Sequence, residues 1–202
     1  MAKSLEVPAA TRNAATALAA KFTVVSQAEF RGELTVTVTR DQFRDVAHHC
    51  KDVLGFDYLI DISSVDHFGS EPRYEMVYEL QRLATAEHLR LKYTVSEDDA
   101  TAPSVVDLWA TADWHEREVY DMMGIQFPTH PDVREVGHVR RILMWDGYPF
   151  HPLQKDFPLA GRESNMPDVA FSSAAPLAGG PFVTSPSTGN TEEREPRSRE
   201  ME

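Results

Sequence analysis

The residue types best suited to chemistry lie between positions 114 and 158. Asp121 and His130 are a carboxylate and an imidazole of the kind that share general acid–base work, provided they sit within hydrogen-bond reach. His115-Glu116 has the opening of a zincin helix, but the position four residues after His115 is Val119 and not the second histidine that a zinc pair needs. His48-His49-Cys50 places metal-ligating types side by side. Neighbours on a helix point about 100° apart and cannot close around one ion, so the reading is surface histidines flanking a core thiol. No G-x-G-x-x-G or G-x-x-x-x-G-K-[ST] loop is present to cradle nucleotide phosphates. Cys50 is the sole cysteine, and one thiol makes neither an internal disulfide nor the thiolate set of an ordinary iron–sulfur cluster.

The same stretch is better suited to contact than to catalysis. Trp114-His115-Glu116-Arg117-Glu118-Val119-Tyr120-Asp121-Met122-Met123 is predicted to be helical. Arg117 and Asp121 are four apart and expected to pair along one face. Trp114, Glu118, Asp121 and Met122 are expected to share a neighbouring face, a mixture of large apolar surface and carboxylates typical of an interface. A charged helix packing one side on its own sheet is the plainer alternative. From Gln126 to Gly161 periodicity disappears, with prolines at 128, 131, 149, 152 and 158. Such a length is unusual for a connection in a compact domain. It carries Phe127, Val133, Val139, Ile142, Leu143, Trp145, Tyr148, Phe150, Leu153 and Phe157, too apolar a set for a disordered linker. Its charges nearly cancel, with Arg134, Arg140, Arg141, Lys155 and Arg162 against Asp132, Glu135, Asp146 and Asp156. A proline-stiffened, apolar, charge-balanced arm suits a segment that wraps a partner, because rigidity lowers the entropy lost on docking.

The elements that must position these residues are legible upstream. Leu34, Val36 and Val38 alternate with threonines as in a half-buried strand. Asp41 fits as an N-cap to a helix whose stripe is Phe43, Val46, Ala47, Cys50, Val53 and Leu54, ended by Gly55. Cys50 on that stripe reads as a buried core thiol. Tyr58, Ile60 and Ile62 form one strand face, Tyr74, Met76, Tyr78 and Leu80 a second, and Leu89, Leu91, Tyr93 and Val95 a third. Turns are expected at 69–72 and 85–87. A short apolar run, Val105, Val106, Leu108 and Trp109, is expected as a fifth strand before a helix over 110–123. The pattern predicts an α+β fold: a mostly antiparallel sheet with helices on one side, followed by an extended C-terminal arm. The chain divides into an N-terminal segment (1–25, with a short alanine-rich helix), an α+β domain (26–125), a partner-binding arm (126–162) and a low-complexity tail (163–202) rich in Pro, Ser, Gly and Glu.

The bulk composition sets the class. Lys plus Arg total 20 against 32 Asp plus Glu, a net charge of −12. A surface this acidic repels nucleic acid and anionic lipid headgroups alike, so attachment to a membrane is expected to run through other proteins. Asn13, Thr16 and Lys21 interrupt the apolar character of the first 22 residues, and no run approaches the roughly 20 apolar residues of a spanning helix. The expectation is a protein with no signal sequence, soluble by itself, in a reducing compartment.

Glu116-Arg117-Glu118, Tyr120-Asp121, Gly124-Ile125, His130-Pro131, Arg141-Ile142-Leu143 and His151-Pro152-Leu153-x-Lys155-Asp156-Phe157-Pro158 occur in the order found in the 30 kDa subunit family of respiratory complex I, which the chain resembles most tightly over 104–161. The resemblance implies a structural subunit of the peripheral arm of a proton-translocating NADH-quinone oxidoreductase. Such a protein packs on the subunit that forms the quinone site and on other peripheral-arm subunits of complex I, on the cytoplasmic side of a bacterial membrane. The resemblance implies no catalytic, cofactor-binding or metal residue in this chain, the flavin and iron–sulfur clusters lying in partner subunits. It makes Glu116, Arg117, Glu118 and Asp121, with His130, Arg141, His151, Lys155 and Asp156 along the arm, the candidates for partner contacts. Two departures stand out: Arg134 to Val139 interrupts the usual passage into Arg-Arg-Ile-Leu, and Gln154 replaces a common arginine. An equivalent subunit of a membrane-bound hydrogenase or deazaflavin-dependent dehydrogenase complex fits the same residues, and a stand-alone acid–base enzyme using Asp121 and His130 is the reading from a different class.

Overall fold

The computed structural model describes residues 6–135 and 137–158, so the tail predicted over 163–202 lies outside the described residues. In chain order the elements are α1 (Ala9–Lys21), β1 (Val24–Phe30), β2 (Glu33–Val38), α2 (Arg40–Asp52), β3 (Tyr58–Asp66), β4 (Tyr74–Arg82), β5 (Glu87–Val95) and α3 (Ala112–Met123). The strands form one sheet in the order β1-β2-β5-β4-β3. Three of its pairings are antiparallel, and only β2 runs parallel to β5. The α+β fold with a mostly antiparallel sheet is therefore present.

Alternation builds the core as the sequence pattern demands. Leu34, Val36 and Val38 of β2 and Leu89, Leu91, Tyr93 and Val95 of β5 are buried, with polar neighbours between them. On α2 the 3.6-residue period buries Phe43, Val46, Ala47 and Cys50. Phe43 packs against the rings of Tyr78 and Tyr93 at 4.3 and 4.5 Å, fixing the helix on the middle of the sheet. Cys50 is a core thiol, its pKa pushed up to about 12 by burial. His48 and His49 point to separate partners, Asp52 and Lys21.

Four local expectations are corrected. First, β1 carries no strand signal because nearly all of it is exposed, so no apolar alternation marks it. Its hairpin to β2 turns on Arg31 and Gly32, both at positive φ, as in a two-residue hairpin loop that follows strand twist. Second, the predicted face Tyr58, Ile60 and Ile62 is broken by a bulge between Leu59 and Asp61. The extra residue shifts the phase, so that Leu59 and Ile62 point inward while Tyr58 and Ile60 are exposed. Third, Val105 to Trp109 is a turn, not a strand: the amides of Leu108 and Trp109 both bond the Val105 carbonyl, burying Val105, Leu108 and Trp109 without a neighbouring strand. Fourth, Thr39 and not Asp41 is the residue before α2, and Asp41 sits in its first turn.

Candidate functional site

The site is the junction between α3 and the arm. Helix α3 ends at Gly124, in the left-handed conformation (φ 81°), where the Gly124 amide bonds the Tyr120 carbonyl. Glycine is required there twice over. A Cβ at this position would stand 2.8 Å from the His151 ring, which the arm lays against it.

Asp121, in the last turn of α3, is fully buried. Its Oδ2 accepts the backbone N–H groups of Ile142, Leu143 and Met144 at 2.9, 2.6 and 2.9 Å. Its Oδ1 accepts from Arg141 Nη1 at 2.6 Å, and the same nitrogen bonds the Asp121 carbonyl at 3.0 Å. The Arg141 guanidinium lies over the rings of Tyr120 and Tyr148. One carboxylate thus clamps the base of the arm. The expected Arg117–Asp121 pair does not form, because an i,i+4 ion pair is worth only tenths of a kcal/mol and four charge-assisted bonds outcompete it.

Arg117 turns instead to the preceding turn and the arm. It donates to the Arg140 carbonyl at 3.1 Å, lies 3.8 Å from Asp113 and 3.9 Å from Asp132, and covers the Trp114 ring at 4.9 Å. His130 is buried beside it. The Asp132 amide donates to its Nδ1 at 2.9 Å, so Nε2 carries the proton toward the Asp113 carbonyl and carboxylate. Burial lowers the His130 pKa and keeps the ring neutral. Asp121 and His130 therefore have separate partners, and no hydrogen bond joins them as an acid–base pair.

Glu116 points the other way, into the core. It accepts the Val105 N–H at 2.7 Å, while its second oxygen has no hydrogen-bond partner among the described residues. Burial raises its pKa to about 7, against the opposing bonds from Val105 and Ser104. The native state then holds a proton that the unfolded chain releases between its ordinary value of 4.5 and about 7. Stability should accordingly fall as pH rises through that window and level off above it. Glu116→Gln should match the parent near pH 4 and exceed it by about 3 kcal/mol at pH 8. Urea denaturation at both pH values decides this; equal effects at both would rule out the buried proton.

The tip of the arm returns to the sheet. His151 Nδ1 pairs with the Asp121 carbonyl at 3.1 Å, and the Leu153 amide bonds the Met122 carbonyl at 3.0 Å. Gln154 Nε2 bridges the Tyr74 hydroxyl and the Met123 carbonyl at 3.1 and 2.9 Å. Gln154 is thus engaged inside the chain. The Lys155 amide donates to Asp66 Oδ2 at 2.8 Å, and Asp156 pairs with Arg73 at 2.7 Å. Arg73 is a hub that the sequence reading missed. Buried at the start of the β3–β4 hairpin's return, it forks onto Asp66 with two bonds of 2.9 Å and also reaches Glu97. Nothing in local spacing pairs Arg73 with Asp156, 83 positions away.

The nine candidate contact residues therefore divide. Glu116, Arg117, Asp121, His130 and Arg141 are buried and engaged within the chain, and His151 is half-buried against Gly124. Glu118, Lys155 and Asp156 face outward. The face expected to unite Trp114, Glu118, Asp121 and Met122 is split the same way, with Asp121 and Met122 inside. The outward apolar points are Trp114, Leu143 and Leu153, which are 61%, 57% and 60% exposed. The arm expected to be held by another polypeptide is anchored over 139–156 to its own domain; its outward side carries Leu143 and Leu153, and α3 carries Trp114. The stretch from Arg134 to Val139 leaves and returns through a Val133–Val139 bridge, with the Arg134 amide bonding the His138 carbonyl at 3.0 Å. No helix among the described residues is long and apolar enough to cross a membrane.

Comparison with known proteins places this architecture. The family model described as "Respiratory-chain NADH dehydrogenase, 30 Kd subunit" matches residues 36–163. The NADH-quinone oxidoreductase subunit of this kind from Geobacter sulfurreducens is 44% identical over 136 residues, covering 67% of this chain and 80% of that protein. Its counterpart in Geobacter metallireducens is 41% identical over 156 residues, covering 76% and 93%. A solved structure of a trypsin-resistant fragment of Nqo5 superposes with a TM-score of 0.53 at 33% identity, covering 60% of this chain and 96% of the fragment. A chain of the archaeal membrane-bound sulfane sulfur reductase shares the fold, with a TM-score of 0.62 at 24% identity over 73% of this chain and 85% of its own. With the family match spanning more than half of the sequence and both ends of the α3–arm junction, the chain belongs to the 30 kDa subunit family of respiratory-chain NADH dehydrogenase.

Proposed function

We propose that this chain is a non-catalytic structural subunit of the peripheral arm of a proton-translocating NADH-quinone oxidoreductase, where it braces the neighbouring subunit that forms the quinone site. In this reading it holds no cofactor; flavin and iron–sulfur clusters lie in partner subunits, and electrons pass through those to quinone. It is attached to the cytoplasmic side of a bacterial membrane only through the complex. The observation that carries the reading is the division of the α3–arm junction. Its polar groups are engaged within the chain, while Trp114, Leu143 and Leu153 remain outside among the charged Glu118, Arg140 and Lys155. Exposed large apolar side chains beside a junction whose charged groups are mostly paired within the chain suit an assembly contact, and tryptophan is the side chain most often dominant in such contacts.

The test follows from that division. The Trp114→Ala and Leu143→Ala double variant should cost the isolated chain no more than about 2 kcal/mol, most of it the Arg117 contact with the Trp114 ring, and leave it folded. In cells it should lower both the amount of chain retained in the assembled complex and the NADH–quinone reductase activity of membranes, in parallel and several-fold. Normal retention and activity in the double variant would defeat the assignment of this surface.

A further inference from the structure

We propose that the arm is a strap with two clamps of unequal strength, and that its tip, residues 151–157, releases from the domain while its base, residues 139–148, stays in place.

The base is clamped by buried groups. Asp121 is fully buried, its partner Arg141 is nearly so, and Val139 and Tyr148 of the same stretch are buried beside them. Opening the base would break an ion pair and three amide–carboxylate bonds together and would also expose apolar surface.

The tip is attached differently. From Pro149 to Pro158 every residue is exposed or intermediate, and none is buried. What holds it is the half-buried His151 ring against Gly124 and Tyr120 and a row of hydrogen bonds: His151 to Asp121, Leu153 to Met122, Gln154 to Tyr74 and Met123, Lys155 to Asp66, and Asp156 to Arg73. The Asp156 side chain is 43% exposed, so water replaces its ion pair readily. A segment with no buried residue of its own, held by partly buried hydrogen bonds, opens locally at lower free-energy cost than one clamped by fully buried groups.

Release of the tip also leaves the domain intact. Asp66 loses the Lys155 amide but keeps both bonds from Arg73, and Arg73 keeps Glu97. Asp121 loses only the His151 contact to its carbonyl, and its carboxylate bonds to 141–144 are untouched. The Asp121 carbonyl takes both Arg141 from the base and His151 from the tip, but losing His151 leaves Arg141 on that carbonyl and on the carboxylate, so the tip opens without the base. The tip is thereby a segment that a neighbouring chain can take over without disturbing the base.

Amide hydrogen exchange on the full chain tests this directly, because each clamp holds named N–H groups. The protection factors of Leu153 and Lys155 should be at least about tenfold below those of Ile142, Leu143 and Met144. Asp156→Ala should lower protection at Lys155 by about a further tenfold, the loss of one charge-assisted bond, and leave 142–144 unchanged. Trypsin should cut after Lys155 before it cuts after Arg141. A tip-to-base difference smaller than tenfold, or a loss of protection at 142–144 in Asp156→Ala, would overturn the two-clamp reading.

Discussion

Asp121→Ala is expected to destabilise the chain by about 3–5 kcal/mol, the range found when one partner is removed from a buried ion pair. The effect comes from what is left behind. Arg141 would remain nearly buried between the Tyr120 and Tyr148 rings without its carboxylate, and the amides of Ile142, Leu143 and Met144 would lose their shared acceptor. Asp121→Asn separates the contributions. Its carbonyl oxygen can keep the three amides, but its NH2 group would face the Arg141 guanidinium, donor against donor. A loss of about 2–3 kcal/mol is expected for that variant. Chemical denaturation of the isolated chain gives both numbers, and exchange at 142–144 should rise in the alanine variant. An alanine variant within about 0.5 kcal/mol of the parent, the usual range for surface positions, would mean that Asp121 does not clamp the arm.

Arg73→Met should cost a similar amount, about 3–5 kcal/mol at neutral pH, for the complementary reason. It strands the buried Asp66 carboxylate, whose only other partner is the Lys155 amide, and it frees Glu97 and Asp156. The pH dependence carries its own signature. The Arg73 guanidinium holds the Asp66 carboxyl below its ordinary value of 3.8. In the parent this contribution is fully present above that value and disappears as pH falls through the lowered native one. The deficit of Arg73→Met should therefore be complete at pH 7 and shrink as pH falls, because the stranded Asp66 of the variant takes up its proton at higher pH than the paired Asp66 of the parent. Adding Asp66→Asn should recover part of the deficit at pH 7, because the stranded charge is gone. A deficit of equal size at pH 3 and pH 7 would show that packing, and not the ion pair, is responsible.

These two residues act on opposite ends of one structure. Asp121 holds the base of the arm to α3, and Arg73 holds its tip to the β3–β4 hairpin. Between them His151 lies against Gly124, where only a residue without a side chain leaves room. The base of the arm is therefore shaped by the chain's own domain. Preorganisation of this kind lowers the ordering cost of assembly, which otherwise subtracts from the affinity of an extended segment.

Much of the fold was legible in the residues themselves because burial imposes a period. The alternation of Leu34, Val36 and Val38 and the stripe of Phe43, Val46, Ala47 and Cys50 announce local structure that burial matches, although the stripe's predicted end fails, with α2 stopping at Asp52 and Val53 exposed. Where burial is one-sided or absent the signal fails. The exposed β1 has no alternation to read, and a single bulged residue at Leu59/Asp61 is enough to turn the predicted face of β3 outward.

Sequence by itself determined the fold class, the helix carrying Glu116 to Asp121, and the ordered motifs that point to the family, because each of these is written in local spacing or residue order. Tertiary structure alone decided the roles of those motif residues. Helical spacing offered Asp121 to Arg117, but the chain returning 20 residues later brought Arg141 and three amides to the same carboxylate. Arg73 and Asp156 became partners across 83 positions. A hydrogen bond depends on distance in space, which spacing along the chain fixes only within an element. The division between residues that hold the arm and residues that face outward therefore emerges only once the chain has folded back on itself.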